Sequence, residues 1–173
     1  MNGKIRYEIV WFQVVRAGYQ GCWGRRRAHA VGVGKPFPVG AIAGLSGSWS
    51  GNGTVALSDG KTERIRCKAS YNVSSTGLGL KQTLRCASDG YKFDLSTDVT
   101  SQGNRISGNW SEASRNIFGN LQGTAGGGQI EVFVEASGFA ASVTLRTTGN
   151  KQTVQISSKG EIRGVNITMS KGG

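Results

Sequence analysis

Few residues in this 173-residue chain have the types that chemistry needs. The only histidine is His29, in an N-terminal segment unlike the rest of the chain. A metal site of the His/Cys type is therefore not expected in the folded domain. A Ser-His-Asp or Cys-His nucleophile would have to recruit that same His29. Carboxylates are better placed. Glu63 and Glu112 stand near related segments, and Glu131 and Glu135 share one strand face. Two carboxyls about 5–9 Å apart can cleave glycosides, but solvated strand faces are the plainer expectation for all four. Gly126-Gly127-Gly128 is not in the strand-to-helix setting of a phosphate loop and reads as a turn. The expectation is a non-catalytic protein with no metal and no cofactor. The remaining chemistry is oxidation of Cys67 and Cys86, two of the three cysteines.

Both cysteines lie in segment 63–95, where three consecutive antiparallel strands are predicted. Ile65, Cys67, Ala69, Tyr71 and Val73 alternate with Arg64, Arg66, Lys68, Ser70 and Asn72, the signature of a half-buried strand. Leu78, Leu80, Leu84 and Cys86 share one parity in the next run, after an SSTG turn. If Val73 faces Leu80, Cys67 faces Cys86, at a separation a disulfide can close. Asp89-Gly90 is a two-residue hairpin signal. It sets Ser88 against Tyr91, Cys86 against Phe93, Leu84 against Leu95 and, on the other face, Arg85 against Asp94. Two separate turns thus agree on one pair of faces. A Cys67–Cys86 bridge implies an oxidising compartment, a periplasm or the cell exterior. The alternative is a pair of reduced thiols in a cytosolic core.

The elements around this segment read as strands throughout. Glycine is abundant at 28 residues and proline scarce at 2, and no long apolar stripe has a 3.6-residue period. Short alternating runs at regular spacing predict an all-β fold. The expected architecture is an antiparallel up-and-down β-barrel of eight to ten strands, with a two-sheet β-sandwich as the alternative. Leu45, Trp49, Val55 and Leu57 share one parity across LSGSWSGNGTVAL, whose glycines signal a bend or bulge. Leu45 to Ser50 also matches Ile106 to Ser111 at an offset of 61. The same offset carries Thr83-Leu84-Arg85 onto Thr144-Leu145-Arg146, and Phe93 and Leu95 onto Val154 and Ile156. It carries Ala69, Tyr71 and Val73 onto Ile130, Val132 and Val134. This suggests a duplication with halves 45–105 and 106–166. A strand at 161–170 would close the barrel against the first strand and remove the exposed edges.

Residues 1–43 differ in kind from the domain at 44–173. They hold one interrupted apolar run, IVWFQVV, then Arg25-Arg26-Arg27, Pro36 and Pro38, and Ala41-Ile42-Ala43 in the form of a signal-peptidase site. The expectation is a poorly ordered basic segment, a degenerate or wrongly translated signal region. No stretch has the roughly 20 apolar residues of a membrane-spanning helix. Of the net charge of +11, residues 1–44 carry seven Lys/Arg against Glu8 alone, so the domain itself is only mildly basic.

Two surfaces of the domain are candidates for binding. Trp49, Tyr71, Tyr91, Phe93 and Trp110, together with Phe139, face inward and either fill the core or line a small apolar cavity. Arg64, Arg66, Lys68, Lys81, Arg85 and Lys92 face outward as a basic stripe. The stripe suits an anionic envelope component or serves only solubility. It has little aromatic interleaving, so no specific nucleic-acid signal is present.

The series GxWSG, ERIRCKASY, LRCASDGYKFDL, RISGNWSE and a final Q-x-V-x-I strand resembles an uncharacterised family of small exported proteins of alphaproteobacteria. The resemblance covers about residues 44–170. It implies a periplasmic or secreted β-domain behind a signal peptide, and it supplies no activity and no catalytic residues. The Gly-x-Trp near the domain start also weakly resembles that of lipocalins and avidins. The resulting expectation is an exported envelope barrel that binds a small apolar ligand. The alternatives are a protein-binding module, such as an inhibitor of an exported hydrolase, and a binder of polyanions or the envelope surface.

Overall fold

The structure is a computed structural model that describes residues 41–172. The segment expected to be a signal region, with His29, lies outside the described residues up to position 40. Ten strands follow a short 3-10 turn at Ala43–Leu45. They are β1 (Gly47–Leu57), β2 (Thr62–Val73), β3 (Gly79–Ala87), β4 (Lys92–Gln102) and β5 (Arg105–Glu112). Then come β6 (Ile117–Gly126), β7 (Gln129–Ala136), β8 (Phe139–Thr148), β9 (Lys151–Ser158) and β10 (Ile162–Lys171). Each strand pairs antiparallel with its neighbour in sequence, and β10 pairs with β1 to close the barrel. The sandwich alternative is thereby excluded, and the closing strand is the one expected near 161–170.

The register within β2, β3 and β4 follows from the two turns. Val73 pairs with Leu80, Cys67 with Cys86, Cys86 with Phe93 and Arg85 with Asp94. The cysteines form a disulfide, with Cα atoms 4.1 Å apart. At the Asp89-Gly90 hairpin, the Ser88 N–H donates to the Tyr91 carbonyl at 2.8 Å.

Closing ten strands into a small barrel requires sharp local coiling, which inward-facing glycines permit. Gly51 in β1 faces Met169 and Cys67, and a Cβ on it would lie 2.7 Å from the Met169 Cα. Gly119 in β6 lies beneath the Trp110 indole, whose Cε2 would be 2.8 Å from an added Cβ. The register of β1 runs unbroken through Gly51 and Gly53, where a bend or bulge was expected, and shifts instead at Ala56/Leu57 against β10.

The 61-residue offset acquires a partial meaning in this topology. It carries β3 onto β8, β4 onto β9 and β5 onto β10, a shift of five strands each time. The matching Gly-x-Trp motifs fall on β1 and β5, only four strands apart. The tryptophan match therefore does not share the strand phase of the other segments.

One end of the barrel is sealed. Ile42 and Leu45, just before β1, are buried in the main core with Trp49, Tyr71, Leu80, Val99, Ile106 and Met169. The Trp49 Nε1–H donates to the Leu45 carbonyl at 2.9 Å, fixing the plug to the ring that it covers. Ile42 belongs to the stretch expected to be poorly ordered, yet it is fully buried.

The disulfide closes a loop with a sequence separation of 19, which in the chain-entropy treatment is worth about 3 kcal/mol. Replacing both cysteines by alanine should lower the unfolding free energy by about that amount in denaturant titration, with the strand content in circular dichroism unchanged. Gly51→Val should destabilise more than Gly53→Ala or any outer-face substitution on β1, because a Cβ meets β10 backbone more closely at Gly51 than at Gly53 and valine adds two methyl groups to the collision.

Candidate ligand site at the open end of the barrel

The end opposite the plug is built from the β1–β2, β3–β4, β5–β6, β7–β8 and β9–β10 turns. Strand register decides which side chains point into the barrel there. Pairing places Leu95 against Glu112, Glu112 against Ile117, Val134 against Ala141, Val143 against Ile156, and Val165 against Ile156, all on the inner side. Leu57, Phe93, Leu95, Ile117, Val134, Phe139, Val143, Ile156 and Ile162 touch the core but are only partly buried. Inward apolar residues toward the sealed end, such as Val99, Ile106 and Met169, are buried. The contrast is one of degree: Val55, Ile65 and Ala141 toward the open end are buried as well, and Val73 and Ile130 toward the sealed end are only partly buried, but solvent reaches more of the inward apolar side chains in the open half.

The floor carries a cross-barrel polar element. The Tyr71 hydroxyl donates to Gln152 Oε1 at 2.8 Å, and Gln152 Nε2 donates to Thr147 Oγ1 at 3.2 Å. Gln152 is completely buried, and this chain satisfies it. Burial pushes the Tyr71 phenol well above its usual range, against the smaller effect of the Gln152 hydrogen bond. Tyr71 therefore stays neutral and serves as a cross-barrel brace between β2 and β9.

Aromatic side chains ring the wall. Trp110 and Phe139 meet edge to face across the barrel at 5.6 Å, and the Trp110 Nε1–H donates to the Asn120 carbonyl at 3.2 Å. Tyr91 and Phe93 are stacked at 6.3 Å. The Tyr91 hydroxyl donates to Glu161 Oε1 at 3.3 Å, which places this residue at the lip. Of the inner aromatics expected from sequence, Trp49 and Tyr71 belong to the sealed half. Tyr91, Phe93 and Trp110 belong to the open half.

The rim is held by buried or half-buried carboxylates. Glu112 points inward and is 4% exposed. It accepts the Asp94 N–H at 3.0 Å, the Ser114 N–H at 3.2 Å and the Arg115 N–H at 2.7 Å. These bonds shape the β5–β6 turn, in which Asn116 adopts a φ of 53°. The turn aims Arg115 across the Phe93 ring, at 5.3 Å from its centroid. Burial by itself would raise the pKa of Glu112. The donors from Asp94, Ser114 and Arg115 outweigh burial and hold the carboxyl below its ordinary value of 4.5. Glu63 does comparable work at the β3–β4 turn by accepting the Ser88 hydroxyl at 2.7 Å. The two acids thus shape different turns, while Glu131 and Glu135 stay on the exposed outer face of β7 as expected. Glu112 was expected on a solvated face, and its role as a turn clamp is the principal correction among the acids. The one sequence signal for that role is its place directly before a polar Ala-Ser-Arg-Asn turn.

The basic stripe divides. Lys81 forms an ion pair with Asp98 and Arg85 with Asp94. Arg64, Arg66, Lys68 and Lys92 form no ion pair among the described residues. Lys68 faces Arg85 across β2 and β3, the like-charge pair anticipated from the register.

No protein-family model matches the chain, and no curated protein matches it significantly. Solved structures do resemble it in fold. Rv2717c from M. tuberculosis aligns with a TM-score of 0.63 at 13% identity, over 77% of this chain and 96% of that one. The S-type phycobiliprotein lyase CPES from Guillardia theta aligns with a TM-score of 0.56 at 9% identity, over 76% and 90%. At these identities the likeness is one of barrel fold alone. Among the described residues, no helix is long and apolar enough to cross a membrane.

The Glu112 clamp has a definite pH signature. A carboxyl whose folded pKa is depressed contributes stability above its unfolded value, here near 4.5, and loses it as pH falls through the lower folded value. Glu112→Gln should cost about 1–3 kcal/mol at neutral pH. In thermal melts, the gap between wild type and variant should narrow steadily as pH drops below about 4.5. A constant gap would mean that Glu112 is not the ionised clamp.

Proposed function

We propose that this protein is a non-catalytic exported binding barrel that holds a small apolar ligand in its open half. The observation that carries the reading is the asymmetry of the interior. Register turns Leu57, Leu95, Ile117, Val134, Phe139, Val143, Ile156 and Ile162 inward, yet none of them is fully buried. Full burial of one such side chain is worth about 1.5–3 kcal/mol. A guest that covered several of them would recover a substantial binding free energy, which a filled core would not leave available. Tyr91, Phe93 and Arg115 form a mixed apolar and polar lip, suited to a ligand with a hydrophobic body and a more polar end.

The compartment reading rests on the disulfide. A bridge between Cys67 and Cys86 persists in an oxidising environment and is compatible with a periplasmic or secreted location. The resemblance to small exported proteins points the same way. A phycobiliprotein lyase is built on the same barrel fold, which supports the reading by analogy of fold alone.

Titration with the neutral apolar dye N-phenylnaphthylamine provides the test. Dye fluorescence should rise on addition of protein, and the Trp110 emission should fall with the same midpoint. Val134→Trp, which fills the cup from β7, should weaken dye binding by at least about tenfold. Phe118→Ala, on the exposed outer face of β6, should leave it unchanged. Dye binding that is absent, or that responds equally to both substitutions, would count against the proposal.

A further inference from the structure

The outer wall of β10, β1, β2 and β3 carries a feature that the apolar cup does not use. Two recesses adjoin there, one of about 680 Å³ around Ser50, Lys68, Arg85, Lys92 and Thr168, the other of about 860 Å³ around Asn52, Arg64 and Ser88. A barrel wall is normally convex, so this trough needs a cause. Its cause lies in side-chain lengths and in the close approach of β1 to β10. Ser50, Asn52 and Thr54 are short, and they pair with Lys68, Arg66 and Arg64 on β2. On the other flank, β10 presents the short Ser170 and Thr168 to Ser50 and Asn52. Gly51 and Gly53 lie so close to the β10 backbone that a Cβ on either would collide with it. A row of small hydroxyl and amide groups therefore runs beside a wall of long cations.

The charges on that wall are largely uncommitted. Among the described residues, Arg64, Arg66, Lys68 and Lys92 make no ion pair, and all four are exposed. Alternate residues on one strand stand about 7 Å apart, so Arg64, Arg66 and Lys68 form an evenly spaced cationic edge along the trough. The Lys68–Arg85 pairing concentrates like charge at its middle, an arrangement that costs stability in the absence of an anion.

We infer that this trough is a docking site for a linear anionic polysaccharide, a chain of carboxylated sugars. The cationic edge takes the carboxylates, and Ser50, Asn52, Thr168 and Ser170 offer hydrogen bonds to sugar hydroxyls. Two other polyanions fit less well. Single-stranded nucleic acid binds through base stacking on aromatic side chains; the outer faces of β10, β1, β2 and β3 carry none, and Phe93, the one aromatic residue lining the recesses, is turned inward opposite Cys86. A bilayer surface needs a flat or apolar contact, whereas the exposed apolar side chains Leu78, Phe118 and Phe133 lie outside the trough.

The test uses the full chain and oligogalacturonate in isothermal titration calorimetry at low ionic strength. Wild type should bind, and added salt should weaken binding. Arg66→Gln, Lys68→Gln and Lys92→Gln combined should lower the affinity by about tenfold. Arg146→Gln with Lys151→Gln, the same kind of charge removal on β8 and β9, should change it less than about twofold. Thermal melts should show all proteins equally folded. The proposal is overturned if oligogalacturonate does not bind or if the two sets of substitutions act alike. Tighter binding to a single-stranded oligonucleotide, or to phosphatidylglycerol vesicles, than to oligogalacturonate would also overturn it.

Discussion

The pairing of β10 with β1 is the constraint on which the rest of this structure depends. Without that ladder, β1 and β10 would both be open edges, each with a row of unpaired backbone donors and acceptors. With it, every strand has two partners, and the interior becomes a bounded space with two ends. The ladder runs from Trp49 opposite Lys171 to Leu57 opposite Ile162, with one bulge near its end. Hydrogen bonds just outside the strands extend it, from Gly172 N–H to the Ser48 carbonyl and from Ser58 N–H to the Glu161 carbonyl.

Closure then assigns different work to the two ends. At one end the chain enters through Ile42 and Leu45 and lays them over Trp49, so the floor is apolar, plugged and buried. At the other end the turns are short and polar, Trp110 and Phe139 meet inside the barrel, and many inward-facing aliphatic side chains are only partly buried. Glu112 shows how such a rim keeps its shape. A buried carboxylate is costly unless it is hydrogen-bonded, and here three backbone N–H groups meet it. The same bonds place Arg115 over Phe93, so a structural clamp also sets the chemistry of the lip.

The disulfide links interior to exterior. Cys67 and Cys86 lie in the buried core between β2 and β3. The residues that alternate with them, Arg66, Lys68 and Arg85, stand on the outer wall beside the trough. A covalent tie at this position holds together two strands whose outer faces repel one another. The period of two along a strand thus lets one segment stabilise the core and concentrate charge outside at the same time.

Much of this was readable from local pattern. Alternation in 63–95 and the turns SSTG and Asp89-Gly90 were sufficient to place Cys67 opposite Cys86 and Arg85 opposite Asp94, because hairpin register depends on residues close in sequence. The all-β class followed from the same kind of signal, while the closing strand near 161–170 was read from the 61-residue offset, which carries Ile106 onto Ile167. Three features depended on the tertiary structure. Strand number and closure need β1 and β10 to meet across the whole chain, which no local period encodes. The half-exposed inner wall needs the relative positions of β4 and β6–β10, since Val134 or Ile156 has the same alternating signature whether its surroundings are filled or open. Glu112 needs its donors from β4 and the following turn gathered in space before it can be told from a solvated acid. The sequence alone determined which way each side chain points, because that is set by backbone alternation. What each side chain finds there was decided only when ten strands closed into a ring.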